Sequence, residues 1–184
     1  MADLSTPSSK TAPAQPQDPL LRAAVDTERH VARLGWDQPP RLFALVRTGL
    51  LREREPSLTP QLQQADDGGY TAVEQEGLPP TSDLESLLGR VAWPEDVEGV
   101  ALAIERIVVP PEAERDLPED PDAAAGQLAA HPDRKDVRLL AACLRDGRSI
   151  CLLRQRDHDS DDAVAVGQDI APGLTHALAM TLRD

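Results

Sequence analysis

The chain has 184 residues, 40% of them apolar, and a formal net charge of −13 from 32 acidic and 19 basic residues. Its length fits one domain of ordinary size plus a tail. Binding to the phosphates of nucleic acids or to an anionic membrane requires clustered Lys and Arg, and a strongly acidic surface repels both ligands. We therefore expect no nucleic-acid partner and no membrane partner.

The sequence also lacks the features of a membrane protein or a secreted protein. No stretch approaches the ~18 consecutive apolar residues of a transmembrane helix, and the N-terminal residues lack the apolar segment of a secretory signal. Two cysteines do not make a disulfide framework. We expect a cytoplasmic protein with an aliphatic core, because there are only one Phe, one Tyr and two Trp.

The chain is predicted to consist of a disordered tail and a single domain. Residues 1–17 are mostly Ser, Thr, Pro, Ala and Gln, which bury too little apolar surface to offset the entropy of ordering them. The predicted domain spans residues 18–184 and begins with a helix. Asp18 suits its N-cap, Pro19 its first helical position and Gly35 the residue just after its end.

Three apolar stretches predict strands, at residues 41–48, 70–76 and 97–109. The third stretch also fits a helical period, but its content of Val and Ile favours a strand. The connections are predicted to be polar.

The segment around Pro56 is interpreted as an exposed connection, and residues 110–122 as a Pro- and acid-rich loop. Thr81 or Ser82 is expected to cap one short helix, and a second short helix is expected at 123–130.

Residues 136–156 give the strongest strand signal. Two apolar runs flank Asp146 and Gly147, a pair that tolerates the positive φ angles of a tight hairpin turn. A two-residue turn would point Cys143 and Cys151 to opposite faces, whereas a three-residue turn would set them opposite each other. In either register we expect the cysteines to fill the core.

A short strand within residues 163–169 and a helix from Pro172 complete the predicted elements. Strands that are joined by a hairpin and do not alternate with helices are typical of an antiparallel sheet. We predict an α+β fold, with a mainly antiparallel sheet of about five strands and helices packed on one side.

The stretch RDHDSDDAVAVGQD concentrates carboxylates beside a histidine and is the candidate metal site. A calcium-binding EF-hand loop needs oxygen ligands at positions 1, 3 and 5, Gly at 6 and Glu at 12. Counted from Asp157, the first half matches through Asp159 and Asp161, but Asp162 stands at the sixth position and Gln168 at the twelfth. The simpler interpretation is an exposed acidic loop.

The alternative is a weak divalent-cation site formed by Asp157, Asp159, Asp161 and His176, because a cation would relieve the repulsion between the carboxylates. The protein would then be a divalent-cation-dependent enzyme or sensor that uses loop 157–162. No catalytic motif supports an enzyme: there is no G-x-S-x-G elbow, no phosphate-binding loop, no G-x-G-x-x-G turn and no H-E-x-x-H pair.

Trp36 and Trp93 are the candidate partner-binding residues, because exposed Trp is often central to protein interfaces. Either ring could instead seal a helix against the sheet. Glu74 and Glu76 could form a carboxylate group with Glu105 for acid–base chemistry. The alternation of YTAVEQE explains the first two equally well as the solvent face of a strand.

Three segments, LGWDQPPRLFALVRT, IERIVVPPEAE and DVRLLAACLRDGRSICLLRQRDHDSDD, resemble an uncharacterised family of actinobacterial cytoplasmic proteins. The resemblance spans residues 18–184 and implies a bacterial cytoplasmic protein, but no activity, cofactor or catalytic residue. The order of elements is also similar to that of small secretion-chaperone-like folds, an analogy that does not fix the function.

The sequence therefore predicts a non-catalytic, cytoplasmic protein-binding protein of adaptor or chaperone-like type. Its partner would be another protein or a second copy of the chain, held on a sheet or helix face. No cofactor is expected, and a divalent cation enters only in the alternative.

Overall fold

Six strands and six α-helices make up the part of the chain that the structure describes, residues 18–63, 65–78 and 83–183 of a computed structural model. The strands are β1 (Arg41–Arg47), β2 (Tyr70–Glu74), β3 (Val97–Val108), β4 (Lys135–Leu144), β5 (Ser149–Gln155) and β6 (Ala165–Gly167). The helices are α1 (Pro19–Arg33), α2 (Thr48–Arg54), α3 (Leu84–Leu88), α4 (Pro111–Arg115), α5 (Pro121–Ala130) and α6 (Pro172–Thr181). None of these helices is long and apolar enough to cross a membrane. The predicted tail lies outside the described residues.

All six strands form one antiparallel sheet in the order β2-β1-β3-β4-β5-β6. The predicted α+β class and antiparallel sheet are confirmed, with six strands instead of about five. The stretch that also fitted a helical period is a strand, as predicted. It forms β3, which pairs with β4 from Gly99↔Leu144 to Val108↔Lys135 and makes the centre of the sheet.

Helices cover both faces of the sheet, which corrects the expectation of helices on one side. α1 packs on one face through Leu20, Ala24 and Val31. α6 packs on the other face through Leu178 and, just after its end, Leu182. Because side chains alternate across a strand, a strand buried on both faces has a continuous apolar run. The run LLAACL in β4 is continuously apolar in this way. One layer of helices would leave half of these side chains exposed to water.

The first helix follows its sequence signals and positions the loop behind it. The Asp18 carboxylate accepts a hydrogen bond from a backbone N–H of the first turn at 3.1 Å, as predicted for the cap. Beyond the helix, Gly35 adopts a φ of 87° and Asp37 a φ of 63°. Both values lie in the left-handed region that residues other than glycine rarely adopt. The chain therefore turns sharply here, with Trp36 between the two unusual residues.

The β4–β5 hairpin has a register that neither predicted turn gives. The Leu144 N–H donates to the Arg148 carbonyl and closes a turn over residues 145–147, so that Ala141 lies opposite Cys151 and Cys143 lies opposite Ser149. The turn is centred one residue earlier than the expected three-residue turn. Both thiols therefore point to the same face, and both are buried in the core under α6. The predicted core-filling role of the cysteines is confirmed.

Two connections that were predicted to be loops contain short helices. α2 lies between β1 and the segment around Pro56, and α4 lies within residues 110–122. The cap of α3 is Asp83, whose carboxylate accepts a hydrogen bond from the helix N-terminus at 3.1 Å. The predicted caps Thr81 and Ser82 lie outside the described residues. Helices of five to seven residues contain too few periodic positions to stand out in a sequence.

Candidate functional site

Charged side chains meet around Trp36 from α1 and the loop after it, from β3, β4 and β5, and from the acidic loop after β5. We call this region the Trp36 corner, and its members are Glu28, Trp36, Asp37, Glu105, Arg138, Arg154, Arg156, Asp159 and Asp161. Arg138 and Arg154 lie two residues from Leu140 and Leu152, on the face of the sheet that α1 covers. Both arginines are thus buried on this face, and a buried charge is unfavourable unless it is paired.

The Arg154 guanidinium is the centre of one half of the corner. Its Nε and Nη2 atoms donate to the two carboxylate oxygens of Glu28 at 2.6 and 2.9 Å, and both side chains are only 2% exposed. Arg154 also donates to Asp159 at 3.0 Å and to Asp161 at 2.6 Å, in the acidic loop after β5. One buried cation therefore holds both α1 and the acidic loop against the sheet.

The Trp36 indole is held by two cations and one carboxylate. The guanidinium carbon of Arg138 lies 4.5 Å from the ring centroid, and that of Arg156 lies 5.6 Å from it. The indole N–H donates to the second carboxylate oxygen of Asp159 at 3.0 Å. The half-buried ring thus closes the corner over the end of the sheet.

Two carboxylates fix the backbone of the loop that carries Trp36. Glu105 accepts hydrogen bonds from two backbone N–H groups of this loop, at 2.9 and 3.3 Å, and forms an ion pair with Arg138 at 3.0 Å. Asp37 binds Arg156 through both of its carboxylate oxygens, at 2.9 and 3.0 Å. These bonds stabilise the left-handed conformation of Asp37, which would otherwise cost free energy.

The contacts of the corner shift the pKa values of Asp37, Asp159 and Arg154. Hydrogen bonds from Trp36 and then Arg154 lower the pKa of Asp159. A hydrogen bond from Arg156 lowers the pKa of Asp37. The hydrogen bond to Glu28 raises the pKa of Arg154. These shifted groups are all charged at neutral pH and all face a partner, so none of them is poised for proton transfer.

The predicted cation ligands do not form one site. Asp159 and Asp161 contact Arg154, and Asp157 contacts a lysine of β4 at 3.0 Å. His176 is exposed on α6, which packs on the opposite face of the sheet from α1. Across the described ranges, no three His, Cys, Asp or Glu side chains come together in a way that could hold a metal ion. Three carboxylates of the acidic loop are thus paired with cations of the protein itself.

The other predicted site residues lie apart from the corner or apart from one another. The Trp93 indole N–H donates to the Thr181 hydroxyl at 3.0 Å, and the ring is half-buried against α6. Glu74 forms an ion pair with Arg41, and Glu76 is exposed. The third glutamate of the predicted acid–base group, Glu105, is paired with Arg138, so the three glutamates share no ion partner.

Sequence reasoning missed Glu28, Arg138 and Arg154. A signal was present for the arginines: in DVRLLAACL and SICLLRQ each occupies the same alternate row as inward-facing apolar residues. An arginine on the buried row of a strand indicates a buried partner. The identity of that partner could not be read from the sequence, because Glu28 and Arg154 are 126 residues apart.

A second region differs from the corner because its helices bury no residue. Beyond the last pair between β4 and β5, Val137↔Gln155, strands β3 and β4 continue as a two-stranded ribbon. β1 ends earlier, opposite Ala103, because Pro39 and Pro40 have no N–H to extend the ladder. The ribbon leads into residues 109–134, which contain α4 and α5 and which we call the arm. Neither helix of the arm has a buried residue.

Comparison with known proteins places the whole described fold in one family. The model of a family described as PPA1309-like protein matches residues 20–183, from α1 to the end of α6, including the corner and the arm. No curated protein and no solved structure matches the chain, so the analogy with secretion-chaperone-like folds has no structural match behind it. The chain therefore belongs to the PPA1309-like protein family. The predicted membership of an uncharacterised family is confirmed, and the actinobacterial origin stays a prediction.

Proposed function

We propose that this chain is a non-catalytic protein-binding protein, of adaptor or chaperone-like type, that binds its partner through the arm. The supporting observation is α5, a ten-residue helix that buries none of its residues. An isolated helix shorter than about 12 residues is marginal in water, because nucleation costs more entropy than its few hydrogen bonds recover. Such a helix gains packing when another molecule covers it.

The charges of the Trp36 corner support the non-catalytic part of the proposal. A catalytic acid or base needs a pKa near the working pH and room for a substrate within hydrogen-bonding distance. Arg154 and Glu28 are instead bonded to each other and buried. The partners of Asp159 are likewise residues of the protein, Trp36 and Arg154. Arg154, Glu28 and Asp159, bonded in this way, fix a conformation and offer little to a substrate. Arg138 differs, because its Nε and Nη1 atoms are buried without a hydrogen-bond partner among the described residues.

We further infer a bacterial cytoplasmic location. Cys143 and Cys151 are both free thiols. Free thiols are typical of proteins in a reducing compartment, where disulfides rarely persist.

Site-specific photo-crosslinking tests the proposed function. A photoreactive amino acid replaces Ala125 on α5 in the full chain, expressed in the source cells. The matched control places the same amino acid at Val166 on β6, another exposed apolar position. We expect a discrete protein adduct from position 125 and none from position 166. Equal adducts from both positions, or no adduct from either, would contradict binding through the arm.

A further inference from the structure

We infer that the partner is a different protein with a basic surface around an apolar centre, and that it docks on the arm and on the exposed end of β3. The inference rests on the proposed function and names the class of partner for the same surface. Exposed aliphatic side chains, carboxylates without ion partners and the net charge of the chain each support one part of it.

The apolar part of the surface lies where the ribbon enters the arm. Ile107 and Val108 are 40% and 46% exposed at the end of β3. They pair with Asp136 and Lys135 at the start of β4, where both ends of the arm begin. Because they are consecutive in a strand, the two side chains lie on opposite faces of the ribbon. α5 adds five alanines and Leu128, none of them buried. Exposed apolar side chains on the ribbon and on α5 offer surface that a protein partner can cover.

The arm is also strongly acidic. It contains seven carboxylates and two arginines, a net charge of −5. The carboxylates belong to Glu112, Glu114, Asp116, Glu119, Asp120, Asp122 and Asp133. None of the ion pairs between described residues uses any of the seven, in contrast with the paired carboxylates of the Trp36 corner. Lysines and arginines on a partner would complement them and would speed the encounter.

A second copy of the chain fits this surface poorly. Each copy has a net charge of −13, of which −5 lies on the arm. Two arms in contact would place like charges opposite each other, which lowers affinity and slows association. The same repulsion disfavours an acidic partner. The charge of the arm therefore selects a basic protein of another kind.

Two labelled peptides provide a defined probe of the partner class. One is an amphipathic helix of about 18 residues built from Leu and Lys, and the other has the same pattern with Glu in place of Lys. Fluorescence anisotropy measures the Kd of each for the full chain. We expect the Leu–Lys peptide to bind, with an affinity that falls as salt is added, and the Leu–Glu peptide not to bind.

Two matched double variants distinguish binding to the carboxylates of the arm from a general effect of the net charge on the Kd. Glu112→Gln with Glu114→Gln should weaken binding of the Leu–Lys peptide roughly fivefold, as expected for the loss of two exposed ion pairs. Glu53→Gln with Glu55→Gln removes the same charge from exposed positions outside the arm and should leave the Kd within about twofold. Ile107→Thr keeps the β-branch and should also weaken binding, because it removes apolar surface.

Three outcomes would overturn the inference. An equal loss in the two glutamate pairs would mean that the peptide senses net charge alone. A dimer in sedimentation velocity that Ile107→Thr dissociates would make a second copy the occupant. A discrete crosslink from position 125, without a preference for the basic peptide, would reject the basic partner while keeping the proposed function. Loss of that crosslink would instead reject the proposed function itself.

Discussion

The Trp36 corner and the arm are neighbours along β3 and β4, yet they differ in whether their carboxylates have ion partners. Glu105 belongs to the corner, and two residues later Ile107 leads into the arm. In the corner, carboxylates bond to arginines and to an indole, some of them out of contact with water. In the arm, seven carboxylates have no ion partner among the described residues.

This difference indicates which region stabilises the fold and which is available to another molecule. A buried charge whose partner is removed becomes strongly unfavourable, whereas an exposed charge loses little because water replaces the partner. Substitutions in the corner should therefore change stability, and substitutions in the arm should change binding. The predictions below test this division from the largest expected effect to the smallest.

The largest effect is expected for Arg154→Met. The substitution leaves the buried carboxylate of Glu28 without its cation, so the free energy of unfolding should fall by about 3–5 kcal/mol. Urea unfolding at neutral pH measures the change. The double variant Glu28→Leu with Arg154→Met removes both buried charges and should recover much of the loss. A double variant as unstable as the single one would mean that the arginine acts by packing and not by charge.

A smaller loss of stability is expected for substitutions of Trp36. Trp36→Ala removes a half-buried ring and its stacking on Arg138 and should cost about 2 kcal/mol. Trp36→Phe keeps an aromatic ring but loses the hydrogen bond to Asp159, and should cost about 1 kcal/mol. Thermal and urea unfolding measure both variants. Equal costs for the two would show that the hydrogen bond, not the ring, is the main contribution.

Acid should destabilise the protein through the corner. The pKa of Asp159 is lowered in the folded state by Trp36 and Arg154, and that of Asp37 by Arg156. The unfolded chain therefore binds protons more readily, so this stability is present above the ordinary pKa of 3.8 and is lost as the pH falls through the folded values.

Asp159→Asn cannot be protonated in this range. Its Tm should consequently fall less steeply than that of the unmodified protein between about pH 5 and about pH 3. Thermal unfolding across this range measures the slopes. Parallel curves for the two proteins would show that Asp159 contributes nothing to the acid sensitivity.

Substitutions in the arm should change stability little. Leu128→Ala alters a residue of α5 that is not buried, so the free energy of unfolding should stay within about 0.5 kcal/mol of its original value. Urea unfolding provides the measurement. A loss of about 2 kcal/mol or more, which is the cost of truncating a core side chain, would mean that α5 packs against the domain.

Divalent cations should have the smallest effect. Thermal melts of the metal-stripped protein with calcium, magnesium, manganese or zinc are expected to coincide, because Asp159 and Asp161 already bind Arg154. A specific ion at a hundredfold excess over its Kd would add about 2.7 kcal/mol. An ion-specific rise in Tm that Asp159→Asn abolishes would contradict this expectation and restore the cation site.

Helices, strands and caps were predictable from the sequence, whereas strand register and contacts between distant residues were harder to predict. The cap at Asp18, the strand at β3 and the helix from Pro172 follow from nearest neighbours along the chain, which the sequence contains in full. The register of the β4–β5 hairpin depends on a shift of one residue in the turn, a difference that Asp146 and Gly147 alone do not determine.

The corner was less predictable for a physical reason. Trp36 and Asp159 were singled out, but for a protein contact and for a metal, and the two are bonded to each other. Each carboxylate of an acidic loop has several possible counterions, namely a metal, a partner protein or a distant arginine. Only the three-dimensional fold, which brings Arg154 within 3.0 Å of Asp159, distinguishes among them.

Cys143 and Cys151 are buried between the sheet and α6, so their reaction with a thiol reagent can report local unfolding of this region. Burial raises the pKa of the Cys143 thiol to about 12, and burial also raises that of Cys151. A thiolate is the reactive species, so neither residue should be modified while the central strands remain closed. The rate at which a thiol reagent labels the native protein therefore measures how often β4 and β5 separate from α6, without any introduced probe.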